Sequence, residues 1–233
     1  MATFIFDEFD VEVSLATISR ALQKSKWSRK AVEAHAAERS ELLRRVWQGT
    51  QKKYEGAQLV FLDESAANER TGDRKFGWSP VGRSCGVLKP LKRSVRWSIL
   101  PALGHEGYLC YMIHQGSITS EIFLEFVEAS LLPLCSAYPG PRSVLILDNA
   151  TIHHSKRLRE LCETRGILLE FLPPYSPDYN PIEATFKDLK AWLQKNYTLA
   201  DDFESFRDFL DFAIGQMDNQ NIKGHFREAG YIA

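Results

Sequence analysis

The chain has 233 residues, 44% hydrophobic and 25% charged, enough for one large domain with or without an appendage and for a substantial core. No apolar run is long enough to cross a membrane, and the start turns acidic at Asp7 without the basic flank of a secretory leader, so no membrane partner is expected. A net charge of −1 alone argues neither for nor against a nucleic-acid partner, but the charge is unevenly spread. Arg20 to Lys53 carries ten Lys/Arg against three Asp/Glu, and Arg70 to Arg96 carries eight against Asp73 alone. From Leu199 to the end the balance reverses, with seven acids against three bases. The two basic segments read as local polyanion-binding faces or as solvated charge. Four cysteines, Cys85, Cys110, Cys135 and Cys162, show no metal-knuckle spacing and are expected to be buried reduced thiols.

Residues 1–35 read as helical. Ala2 to Asp10 has a helix-compatible pattern, and Ser14 is a good N-cap for Leu15 to Lys24, where Leu15, Ile18 and Leu22 share one face. Two short helices with Ser19, Arg20, Gln23 and Lys24 pointing outward resemble a helix-turn-helix. Such a unit needs a third helix to close its core, so its beginning is expected to be missing. Residues 28–54 read as a charged helical segment, the linker helix falling at 36–56 and docking through Leu42, Leu43, Val46 and Trp47.

From Ala57 strands begin. Gln58 to Leu62 runs into Asp63; a polar, glycine-rich stretch follows, in which Trp78 is expected to pack. Arg96 to Leu100 and Tyr108 to Ile113 form a hairpin. Ser120 is expected to cap a helix to about Leu132, with Ile122, Phe123, Phe126, Val127 and Leu131 on one stripe. Val144 to Leu147, four branched apolar residues ending at Asp148, predict a strand buried on both faces. Ser155 caps a helix that Gly166 ends; Ile167 to Phe171 is a strand; Asn180 caps a helix with Pro181 in the favoured first position. The tail at 199–233 is amphipathic, with Phe203, Phe206, Phe209, Leu210 and Ile214. This order gives an α/β fold: a mixed, ribonuclease-H-like sheet flanked by helices over 57–198, with a small N-terminal all-helical remnant.

Asp63 and Asp148 stand at strand ends, and Glu183 follows Asn180-Pro181-Ile182. Three acids on separate elements can cage two divalent cations, which phosphodiester chemistry uses to activate one oxygen and stabilise another. Each acid has a plainer reading: a turn cap for the aspartates, and for Glu183 a capping box with Asn180. Asn149 either orients Asp148 or caps the strand end, and His153 either supports that acid or packs.

Four stretches taken together resemble the DDE transposases of the mariner superfamily, in the branch of bacterial insertion sequences and their fungal relatives. They are Phe61 to Ser65, Gly77 to Gly82, Leu147 to His153, and Leu172 to Glu183, with 34 residues between Asp148 and Glu183. The resemblance implies cut-and-paste transposition at TA targets, with Asp63, Asp148 and Glu183 holding two Mg²⁺ or Mn²⁺ ions. It implies DNA as partner, through terminal inverted repeats and target, and a homodimer. It places the protein in the nucleus, or in the cytoplasm of a bacterial host. Ser19, Arg20, Gln23 and Lys24, with Lys75, Arg83, Lys89, Lys92, Arg93 and Arg96, are the expected DNA contacts. Asp178 matches the last motif and reads as a turn residue. The rival readings are a generic ribonuclease-H-like nuclease and an inactive or co-opted DNA-binding remnant.

Overall fold

The computed structural model describes residues 1–28, 36, 38–73, 78–86, 95–219 and 221–232, and divides into two units, Met1–Ala37 and Glu38–Ala233. In the first unit, α1 (Ala2–Phe9) and α2 (Leu15–Lys24) form where the spacing predicts. Ser14 caps α2, its hydroxyl accepting from the Thr17 N–H at 3.1 Å. Neither helix buries a residue. Leu15, Ile18 and Leu22 line an open groove with Trp27.

The second unit is built on β1 (Leu59–Leu62), β2 (Ser65–Ala67), β3 (Trp97–Gly104), β4 (Gly107–Gln115), β5 (Val144–Leu147) and β6 (Leu168–Phe171). β3 pairs antiparallel with β1, β2 and β4, whereas β1, β5 and β6 run parallel. Among the described residues six α-helices accompany the sheet: α3 (Glu41–Gln51), α4 (Ser120–Phe126), α5 (Lys156–Thr164), α6 (Pro181–Lys195), α7 (Phe206–Gly215) and α8 (Ile222–Glu228).

Strand alternation sorts the core into two layers. Leu59, Phe61, Val144 and Ile146 face α3, α6 and α8 through Trp47, Phe186 and Phe226. Val60, Leu62, Leu145 and Leu147 face the other way, onto Phe123, Val127, Leu158 and Cys162 of the α4–α5 side. A third cluster joins Leu189 and Leu193 of α6 to Phe209, Leu210 and Ile214 of α7.

β2 was not anticipated. β1 and β2 follow β3 in one unbroken register, Leu62 opposite Ala102 and Ser65 opposite Ile99. The interruption at Asp63 and Glu64 falls where that register reaches Pro101, which has no N–H to give. The hairpin strands are longer than predicted and leave only His105 and Glu106 as the turn.

Several sequence expectations are corrected. Thr119, not Ser120, caps α4, accepting from the Ile122 N–H. The helix to Leu132 is broken: α4 gives way to a π turn at Val127–Leu131 and a tighter turn at Leu132–Leu134 around Pro133. Only part of the segment 28–54 is helical, α3 starting after Ser40; residues 29–35 and 37 lie outside the described ones. Its docking face is also turned: Arg44, Trp47 and Gln51 are buried, while Leu42, Leu43 and Val46 are exposed. Trp47 donates to Tyr231, Gln48 to Tyr179, and Gln51 to the Gly230 carbonyl, and these bonds set the rotation. Trp78 is fully exposed and packs on none of the described residues. Cys162 is buried, Cys110 and Cys135 partly so, but Cys85 is exposed; all four are free.

Candidate active site

Leu62 of β1 pairs with Leu147 of β5, so Asp63 and Asp148 leave adjacent parallel strands side by side, one strand spacing of about 4.8 Å apart in backbone. Continuing the alternation turns both toward the face that α6 covers, the face of Phe61 and Ile146. Glu183 lies in the first turn of α6. All three acids line one open cavity of about 460 Å³, with Asn149, Asn180 and the loop Leu172 to Pro177. The Leu172 N–H bonds the Leu147 carbonyl at 2.9 Å and holds that loop beside β5. Tyr175, in the loop, is exposed at the cavity and sits at φ 54°, a left-handed conformation unusual for an aromatic residue.

The two aspartates are supported differently. Asp63 Oδ1 accepts from the Glu64 N–H at 2.7 Å, and Oδ2 accepts from Asn180 Nδ2 at 2.7 Å. Burial, with Asp148 and Glu183 close by, pushes its carboxyl up to about 7. Burial also opposes the charge of Asp148, but contacts from His153 and the Ala150 N–H outweigh it and hold that carboxyl below the usual range. His153 is 1% exposed, its ring 4.7 Å from that of Phe123. Its Nδ1 stands 2.7 Å from Asp148 Oδ1 and its Nε2 3.7 Å from Glu64 Oε1. Both are ion-pair contacts, the first out of line for a straight hydrogen bond and the second too long for one. Burial disfavours the imidazolium, yet the two carboxylates raise it to about 9.

The capping-box reading of Glu183 fails. Neither side chain caps α6; only the Glu183 backbone N–H returns to the Asn180 carbonyl, at 3.1 Å. The contact Asn149 makes among the described residues is with His154 rather than Asp148: its Oδ1 stands 2.6 Å from His154 Nε2, and the His154 ring stacks on Phe171 at 4.3 Å. Asp178 is more than a turn residue: it accepts a forked pair from Arg44 at 2.9 and 2.6 Å, and that guanidinium lies 4.2 Å from the Tyr179 ring centre. Glu64, the Asn180 side chain and Arg44 were not singled out from the sequence. Glu64 had one available signal, its place directly after a strand-end acid.

Of the expected DNA contacts, Ser19, Arg20, Gln23 and Lys24 are exposed on α2, Ser19 and Gln23 edging the groove there. Arg83 is exposed in a turn and Arg96 just before β3. Lys75, Lys89, Lys92 and Arg93 lie outside the described residues.

The donor set suits a hard divalent cation: three carboxylates on one cavity, one of them raised by burial and by its acidic neighbours. Among the described residues, however, no three acid, histidine or cysteine side chains are already drawn into a chelating cluster.

A ribonuclease-H-like sheet with acids at adjacent strand ends, opening on one cavity, is the framework of a nucleic-acid-cleaving enzyme. Residues 58–207 match the DDE superfamily endonuclease family, and the chain belongs to it. No curated protein sequence matches. Among solved structures the fold is similar to that of the Mos1 transposase. The pre-cleavage Mos1 transpososome has a TM-score of 0.69 at 16% identity, covering 98% of this chain and 73% of that one. The Mos1 paired-end complex with the left transposon end gives 0.68 at 17%, with the same coverage. The isolated catalytic domain of Mos1 gives 0.56 at 14%, covering 87% and 91%. Among the described residues no helix is long and apolar enough to cross a membrane.

Proposed function

We propose that this chain is a transposase that cleaves DNA at transposon ends and joins the freed end to target DNA. The observation that carries this reading is the meeting of Asp63, Asp148 and Glu183 on one open cavity, from two strand ends and a helix start. Asp63 and Asp148 would hold two divalent cations, Mg²⁺ or Mn²⁺, and Glu183 would complete the second site. When bound, such ions supply Lewis-acid activation of the attacking and leaving oxygens. Mos1 complexes with Mn and with Mg have been solved, in keeping with that choice.

The chain's own residues do the rest. His153, wedged between Asp148 and Glu64, keeps Asp148 ionised. The loop Leu172 to Pro177 walls the cavity, and the exposed rings of Tyr175 and Trp78 are free to meet bases. In cleavage, water oxygen attacks phosphorus and a 3′-oxygen leaves as hydroxyl. In joining, that hydroxyl attacks a target phosphodiester and a second 3′-oxygen leaves. One diester replaces another, so no energy-rich co-substrate is required.

The partners are DNA, with terminal inverted repeats and a TA target, and a second copy of the chain in a homodimer. Residues 1–35 and the basic segment through Arg83 and Arg96 serve DNA contact; 36–56 links, 57–198 catalyses and 199–233 completes the fold. The protein works where the element's DNA is, in the nucleus of a eukaryotic host or the cytoplasm of a bacterial one.

The test is cleavage of DNA carrying the element's inverted repeats, in Mg²⁺ or Mn²⁺. Wild type should nick it, while Asp148→Asn and Glu183→Gln should bind equally well and cleave nothing. Binding without cleavage by the wild type would instead identify a DNA-binding remnant.

A further inference from the structure

Asn180 occupies the N-cap of α6 without acting as one. A capping asparagine turns its side-chain oxygen onto the backbone N–H of the second or third helical residue. Here the side chain crosses to a residue 117 positions away, and Nδ2 donates to Asp63 Oδ2 at 2.7 Å. The residue is 5% exposed, and Oδ1 is buried with no partner among the described residues. A forgone cap and an orphaned buried acceptor are two separate costs on one side chain, and neither serves stability. Both sit in the wall of the cavity that holds the three acids.

We infer that Asn180 is a positioning residue for the reaction. Its amide N–H fixes the Asp63 carboxylate in place. The inference rests on the transposase reading for the reaction served, but not for the hold on Asp63. Asp148 has a histidine in the equivalent supporting place; the amide beside Asp63 is neutral at every pH, so it aligns the carboxylate without competing with cations for it. Hydrogen-bonding supports of metal ligands change metal affinity or activity by about 10- to 100-fold when removed.

Two substitutions separate this role from a structural one. Asn180→Asp keeps the shape and can cap α6, but faces Asp63 with an acid. Asn180→Ser caps well but is too short to reach Asp63. In the 233-residue chain, three quantities would be read: thermal melting in chelator, Mn²⁺ binding by calorimetry, and nicking of inverted-repeat DNA at saturating Mn²⁺. Asn180→Ser should melt no lower than wild type and bind Mn²⁺ about 10- to 100-fold more weakly, and both variants should nick more slowly even when saturated. Wild-type Mn²⁺ affinity in Asn180→Ser would overturn the proposal. So would a lowered melting point with nicking rate per folded molecule unchanged. If wild type itself cuts nothing, the transposase reading fails, while Mn²⁺ affinity still decides the hold on Asp63.

Discussion

The Arg44–Asp178 pair shows what a single residue contributes that sequence does not advertise. Arg44 reads as surface charge on a basic helix, and its partner lies 134 positions away. Burial raises the Asp178 carboxyl, but the forked bond from Arg44 outweighs that and holds it below the ordinary range. A carboxyl depressed on folding adds stability that is complete above its unfolded value of about 3.9 and is lost as pH falls further. Asp178→Asn should therefore lower the melting temperature at pH 7, and the gap to wild type should close in melts taken below about pH 4. An equal gap at both pH values would contradict the pairing. The three acids were legible from the sequence because each ends or begins a strongly patterned element. Asn180 and Arg44 were not, since their partners are set by tertiary contact alone.

At the level of elements, α3 carries a similar lesson. Its apolar residues Leu42, Leu43 and Val46 suggested the docking face, yet polar anchors turn the helix so that Trp47 goes inward with Arg44 and Gln51. Trp47→Ala should cost about 3–5 kcal/mol in denaturant unfolding, as large aromatic truncations in cores do. Leu42→Ser and Val46→Ser should each stay within about 0.5 kcal/mol of wild type. A large loss from either would mean that the outer face is covered. Ser40 and Ser205, not singled out as caps, and Ser14 and Ser155 each accept a hydrogen bond from a first-turn N–H, and the last two were marked in the sequence. The break after α4 was not, because Pro133 ends the helix by a π turn rather than where the apolar stripe stops.

Across the whole molecule, the last helices belong to the core as much as the sheet does. Phe226 of α8 meets Phe61 edge to face at 5.4 Å, and the Tyr231 hydroxyl donates to the Tyr179 carbonyl at 2.7 Å, close to the cavity of the three acids. A chain ending at residue 219 should lose its cooperative melt, whereas one starting at residue 38 should keep the transition of the second unit. A soluble, two-state protein lacking α8 would refute this account of the core. DNA binding by the full chain should fall steeply between about 50 and 200 mM salt, because exposed Lys and Arg contacts release counterions; a flat dependence would remove the basic segments from the interface.

The shared register of β1 and β2 along β3 also bears on how such a gene can change. Side chains on a strand alternate faces, so losing or gaining a single codon between Leu62 and Ser65 would invert everything downstream or swing Asp63 away from Asp148. Nothing comparable constrains the turn at His105 and Glu106. Relatives of this chain should therefore accumulate length variants at that turn while keeping the short span after Leu62 at constant length for as long as the three acids must meet.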